Sequence, residues 1–479
     1  MPSPKLPSLT RNASISSRAI SAARSFPASK ALNQPNPHKA RPASPLHPAN
    51  SHEAIASQLD AWLTAAPLPQ GQPLASLIGD LAPCLPKVRT DAAQRQLAVL
   101  TCLLANFIAT TTATKAIAVP LRRDKADRYD NPGITGRQLK PVVDALESAE
   151  MILRTPAIFK QRRTIVEPTA RLVELMASHN ATAASIARLP GEEVILLRQR
   201  KARKASDNDD GEDGAGEPFT ATNNQVGSFI DYPDDCPEAN ALRSELRRYN
   251  EFLLKSDVRI LGMDNPPPPK PFKRIFATSG PVRWDRHGRV YAGQAGFWHQ
   301  GLPKAERHRV RINSEKIVEI DWQSLHLRLA YVEAQCSPPA GDLYALNPEL
   351  EAYRPAVKIV CSAMLSITGE LSKLPPSVRE ASPDLPKQWT AKRIAQAVKE
   401  HHAPIAHLFG KDRGIAYMNK DSTLLMMVLT RLMDRGLPAL GLHDAILVQQ
   451  SAKDIAIAIM QEASMELLGV ELPVSVKSY

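Results

Sequence analysis

The stretch VEIDWQSLHLRLAY (Val318–Tyr331), with its shorter counterpart LGLHDAIL (Leu440–Leu447), decides how the C-terminal half is read. Each carries an aspartate, Asp321 or Asp444, where the pattern predicts a strand end. Lys316 to Asp321 alternates and is rich in β-branched residues, so it predicts a buried strand, and Leu325, Leu327, Leu329 and Tyr331 predict a helix after it. LGLHDAILVQ predicts strand, tight turn, strand, with His443 and Asp444 in the turn. A strand-end aspartate taken alone more often caps a helix, so these two acquire meaning only from what lies between and around them.

Between them, YRPAVKIVCSAMLSITG (Tyr353–Gly369) predicts a helix with Pro355 in its first turn. Val357, Val360, Cys361, Met364 and Leu365 make its apolar face, which leaves Arg354, Lys358 and Ser362 on the other. One turn apart, Arg354 and Lys358 can grip one triphosphate; the bland alternative is an exposed basic face. Asp421 or Ser422 is expected to cap a further helix through Leu424, Met427, Leu429 and Met433, stopped by Gly436 and Pro438. Ser451 and Asp454, in capping-box spacing, open a last helix before the strand ELPVSVK.

This residue order suits nucleotidyl transfer first; the alternatives are a DNA-binding replication initiator or regulator in which this region is catalytically silent, and a metal-dependent nuclease that uses the same acids. Joining a nucleotide to a 3′ hydroxyl needs a divalent metal to activate the attacking oxygen and steady the leaving pyrophosphate. Magnesium, with manganese as the alternative, is hard and takes oxygen ligands, commonly one or two carboxylates plus substrate phosphates. Basic side chains then offset the charge that develops on phosphate.

The stretch 283–479 resembles the palm and fingers of the superfamily that includes bacterial DNA polymerase I and the single-subunit phage and mitochondrial RNA polymerases. IDWQSLHLR resembles the first metal motif, RPAVK the start of the triphosphate-binding fingers helix, YMNKDSTLLMMVL the helix before the last motif, and LHDAIL the second metal motif. DRHGRVYA (residues 285–292) resembles the template-contacting segment of the RNA polymerase branch. The resemblance implies Asp321 and Asp444 as ligands of two magnesium ions, Arg354 and Lys358 as triphosphate binders, and His443 beside the primer terminus. It also implies that Arg289 and Tyr291 touch template or organise the palm, and that His326 and Arg328 support the substrate site. The chain departs from the pattern as well. His326 stands where the DNA polymerase branch has Glu, Ser366 or a neighbour stands near the fingers aromatic, and Ala445 follows the second aspartate. The segment between Lys358 and Asp444 is short, so reduced fingers are expected. Implied partners are a DNA template and primer and nucleoside triphosphates, in a replication-type protein of a plasmid or other mobile element.

The rest of the chain frames this region. With 479 residues and 43% hydrophobic content it can hold two or three domains, and a net charge of +11 suits a polyanionic partner. Residues 1–52 read as a disordered basic tail, because repeated prolines would break most helices; an organellar transit peptide is the alternative. Residues 53–198 read as a helical region with a winged helix-turn-helix. There Thr135 caps a helix through Val142, Val143, Leu146 and Ala149, and two short strands follow. Arg137, Gln138 and Lys140 fall where a recognition helix meets a groove, and Lys160, Arg162 and Arg163 load the hairpin tip for phosphate contacts. The alternative is a small α+β domain with a solvated basic edge. Residues 199–272 read as a flexible linker with a proline-rich spacer, and 273–479 as the polymerase-like part, for an α+β chain overall. Five cysteines without a CxxC pair and no apolar run expected to cross a bilayer fit a bacterial cytoplasmic protein without a membrane partner. His401, His402 and His407 cluster without cysteine or regular acid partners, a poor zinc set. Trp284 and Trp298 read as core aromatics before base-stacking ones.

Overall fold

Apolar residues at helical spacing organise the first part of the computed structural model, which describes residues 56–110, 116–121, 127–158, 163–200, 228–263, 266, 268–292 and 299–479. The expected tail, the acidic part of the expected linker, Lys160, Arg162 and Trp298 lie outside the described residues. All described residues belong to one unit, Ser51–Tyr479, within which two hydrophobic clusters form.

The first cluster is built on β1 (Ser57–Gln58), β2 (Leu63–Ala65), α1 (Gln72–Leu81), α2 (Thr90–Ala109), β3 (Ile117–Val119), α3 (Gly136–Ser148), β4 (Ile152–Thr155), β5 (Thr164–Pro168), α4 (Ala170–Ser178) and β6 (Ile186–Arg188). Leu100, Leu103, Leu104 and Phe107 bury one face of α2 against Val142, Val143 and Leu146 of α3. Thr135 and Gln138 close α3 with a capping box. The expected hairpin is present as β4 and β5, but β3 and β1 extend it to a four-stranded sheet in the order β1-β3-β5-β4. Helix α2 is long and apolar enough to cross a membrane, against the expectation that no segment is; here its apolar residues form core.

The second cluster begins with β7 (Ile195–Gln199) and α5 (Pro237–Lys255), followed by β8 (Val258–Ile260), β9 (Lys273–Thr278) and β10 (His287–Tyr291). The described part of residues 199–272 is therefore not simply linker. Beneath a charged outer face, α5 buries Ala239, Leu246, Tyr249 and Leu253 at helical spacing. Asn250 pins the far end of the proline-rich spacer by bonding both N–H and C=O of Phe272. Strand β7 pairs in parallel with β9, which pairs antiparallel with β10.

The sheet that carries the site follows. It contains β11 (Val310–Ile312), β12 (Glu315–Trp322), β13 (Ala439–Leu442), β14 (Ala445–Gln449) and β15 (Val474–Ser478) in the order β13-β14-β12-β11-β8, with β15 also against β12. Every pairing in it is antiparallel. Helices α6 (Leu325–Glu333), α7 (Pro348–Glu351), α8 (Arg354–Ser366), α9 (Pro376–Ala381), α10 (Ala391–His401), α11 (Gly414–Asp434) and α12 (Lys453–Leu468) complete this part. Helix α11 starts well before the expected cap, and Asp421 and Ser422 are fully buried within it. Nor does Ser451 cap α12; its hydroxyl bonds Glu315 at 2.8 Å.

Candidate active site

Strand register brings the two aspartates together. In the β12–β14 ladder Asp321 stands opposite Ala445, and Leu442 opposite Ala445 closes the β13–β14 hairpin around His443 and Asp444. Asp444 thus immediately precedes the residue facing Asp321. His443 holds φ at 59°, a left-handed conformation costly for a side chain with a Cβ, as the tight turn requires.

The electrostatics of this pair are unbalanced. Burial, and then the nearby Asp444 carboxylate, push the Asp321 carboxyl up to about 7, while Lys477 and Lys358 pull against that rise. The Oδ1 atom of Asp321 is buried without a hydrogen-bond partner. Neighbouring Glu319 is better matched, accepting from Arg307, Lys477 and Tyr479. Asp421 accepts from Arg289 and His326 on Oδ2, while its own Oδ1 is also buried without a partner. Two adjacent carboxylates with an orphaned buried oxygen and too little positive charge form a donor set that fits a hard divalent cation. Among the described residues no group of three or more His, Cys, Asp or Glu side chains gathers as a metal site, so substrate oxygens or water would complete the coordination.

Helix α8 packs through Val357, Val360, Cys361, Met364 and Leu365, as its spacing predicts, and leaves Lys358 exposed near enough for Asp321 to feel its charge. Arg354 is differently placed. Its guanidinium forms a two-point contact with Asp342, with the Nη2 bond at 3.0 Å, and lies 5.1 Å from the Tyr344 ring centroid. Arg354 is therefore held by a carboxylate that a triphosphate would have to displace. At the end of α8, Ser366 donates to Ser362 O at 2.8 Å, and a Cβ on Gly414 would come within 2.4 Å of Ser366 Oγ. This is a close approach of α8 and α11.

Behind the turn lies an ion cluster built on a residue that sequence patterning assigned to a cap. Asp421 is fully buried in the middle of α11, 3.0 Å from Arg289 Nη2 and 3.0 Å from His326 Nε2. Burial alone would raise its pKa, but Arg289 and the His326 hydrogen bond hold it below the usual 3.8. Arg289, itself nearly buried, is spent on Asp421 rather than free for template, and it also feels the charge of Asp444. Next along α11, Ser422 bonds Gly288 O, and Arg274 donates to both, which fastens the β9–β10 hairpin to the helix. The available signal was helical spacing: Tyr417, Leu424 and Val428 recur on one face, and Asp421 falls on that face.

The remaining expected residues are dispersed. Tyr291 stacks on His287 at 6.1 Å, and Arg328 donates to Gln323 O at 2.9 Å. Arg137 is exposed at the start of α3, whereas Gln138 is occupied in the capping box and Lys140 pairs with Asp144 at 2.6 Å. Arg163 bonds Gln58 at 2.7 Å. His402 is buried with one ring nitrogen on the Tyr331 hydroxyl and the other on Leu343 O, both at 2.9 Å, so that ring is a packing element. Trp284 meets Tyr232 and Phe276 edge-on, in keeping with a core aromatic.

No protein-family model matches the chain, and no curated protein sequence matches it. Among solved structures, the POL domain of Pol1 from M. smegmatis, in complex with DNA primer-template and dNTP, is similar at 12% identity and a TM-score of 0.29. That similarity is weak, and it covers 50% of this chain and 50% of the other, so the chain spans half the length of the protein it matches.

Proposed function

We propose that the chain is a template-directed nucleotidyltransferase with Asp321 and Asp444 as the ligands of two magnesium ions. The observation that carries the reading is the juxtaposition of these carboxylates on adjacent strand ends, with Asp321 pushed up to about 7 and one of its oxygens unpartnered. A divalent ion bound there supplies an activated 3′ hydroxyl and positive charge for the departing pyrophosphate. Lys358 would meet the incoming triphosphate as an exposed point charge, and Arg354 would join it on release from Asp342. His443 would flank the primer terminus from its turn. Arg289, pinned by Asp421, would hold the back of that turn, with His326 on the same carboxylate. The N-terminal module, through Arg137 and the hairpin β4–β5, would bring the palm-like sheet to DNA as a winged helix, in the replication of a plasmid or other mobile element.

The test is incorporation of labelled dNTP and rNTP on primed and unprimed templates with magnesium or manganese. Incorporation in any arm supports the reading and fixes the sugar and the primer requirement. The clamp of Asp342 on Arg354 favours a second reading, a DNA-binding replication initiator or regulator with a silent palm. Sequence-specific DNA binding without incorporation in any arm would select it.

A further inference from the structure

Strand β15 sets a positive charge against the carboxylate pair. In its ladder with β12, Lys477 stands opposite Glu319 and Ser475 opposite Asp321. Directly opposed residues and those two apart share one face of a sheet, so Glu319, Asp321 and Lys477 project to the same side. The Lys477 ammonium lies 2.6 Å from Glu319 Oε1 and 3.7 Å from Asp321 Oδ2. Glu319 does not need all of that charge, because Arg307 at 2.8 Å and the Tyr479 hydroxyl at 2.6 Å serve its other oxygen. Part of the ammonium charge is left for Asp321. The Lys477 side chain is 41% exposed, so it has room to withdraw without unmaking the strand.

We propose that Lys477 is a tethered counter-cation that competes with the divalent ion for Asp321, which keeps the carboxylate pair weakly loaded until substrate phosphates add negative charge. The inference rests on the reading of Asp321 and Asp444 as a cation site. A divalent ion beside Asp321 would sit within a few ångströms of the ammonium, and repulsion over that distance weakens binding by about tenfold even at the dielectric of water. Lys477 is a positioning residue in this scheme: it touches a ligand, not the reacting atoms.

The experiment is titration of the full-length chain with Mn²⁺ at pH 8.5, followed by the electron paramagnetic resonance signal of free Mn²⁺, without nucleotide. Lys477→Met and Lys477→Gln are expected to bind Mn²⁺ about tenfold more tightly than the wild type, Lys477→Arg like the wild type, and Asp321→Asn to remove the site in each background. Equal or weaker binding in both neutral variants, with Asp321→Asn still abolishing it, would overturn the competition while leaving the carboxylate site in place. Binding that Asp321→Asn does not alter would overturn the cation site, and the proposal with it. Two neutral variants and one charge-keeping variant separate loss of charge from loss of packing.

Discussion

Asp421 and Arg289 meet at 3.0 Å in the middle of helix α11, where the carboxylate has no exposure to solvent. The contact ties β10 to α11, and the same Oδ2 takes a hydrogen bond from His326 of α6. Three elements behind the His443–Asp444 turn thus share one buried anion. Removing one member of such a group strands the others. Asp421→Ala should therefore cost about 3–5 kcal/mol in urea unfolding. A loss below about 1 kcal/mol would show that Arg289 finds solvent or another partner.

The same group sets a pH dependence. Burial would raise the Asp421 pKa, but Arg289 and His326 take it below 3.8, so its stabilisation is present above that ordinary value and is lost as pH falls through the folded one. The stability difference between wild type and Asp421→Asn should be constant at neutral pH and shrink as pH drops below about 4. A difference unchanged down to pH 2 would contradict the ion pair.

Asp321 has the opposite sign. Its folded value of about 7 lies above the ordinary 3.8, so the stability linked to its proton is complete below about 4 and lost as pH rises through 7. At pH 8 with a chelator present, Asp321→Asn should be more stable than the wild type by roughly 1–2 kcal/mol, after allowance for solvent screening, and the gain should vanish at pH 4. A variant less stable than wild type at pH 8 would mean that the carboxylate is well compensated.

The hold of Asp342 on Arg354 predicts a gain of affinity. An exposed ion pair contributes about 0.2–1 kcal/mol, so Asp342→Ala should tighten binding of a nonhydrolysable nucleoside triphosphate by up to about fivefold, and Lys358→Ala should weaken it. Unchanged affinity in Asp342→Ala would leave Arg354 out of the triphosphate site.

The strand and helix patterns around Asp321, Asp444 and Lys358 were legible because each follows a short period: alternation in β12, a two-residue turn after Leu442, and a 3.6-residue stripe on α8. The helix α3 and the hairpin after it were legible for the same reason. What the sequence hid depends on contacts far apart along the chain. Asp421 looks like a cap because polar residues are common there, and only the approach of Arg289 and His326 makes a mid-helix carboxylate tolerable. Helix α5 was hidden by its many charges, although its buried positions recur at helical spacing. Lys477 gave no local sign of its role, since it reaches Asp321 only through the β12–β15 register.

The most direct test of the carboxylate pair is single-turnover nucleotide incorporation by the wild type, Asp321→Ala and Asp444→Ala, each first shown to bind DNA equally. Incorporation by the wild type alone, with each variant reduced at least about a thousandfold, is the predicted result. Incorporation that survives either substitution would contradict the assignment of Asp321 and Asp444 as the metal-binding centre.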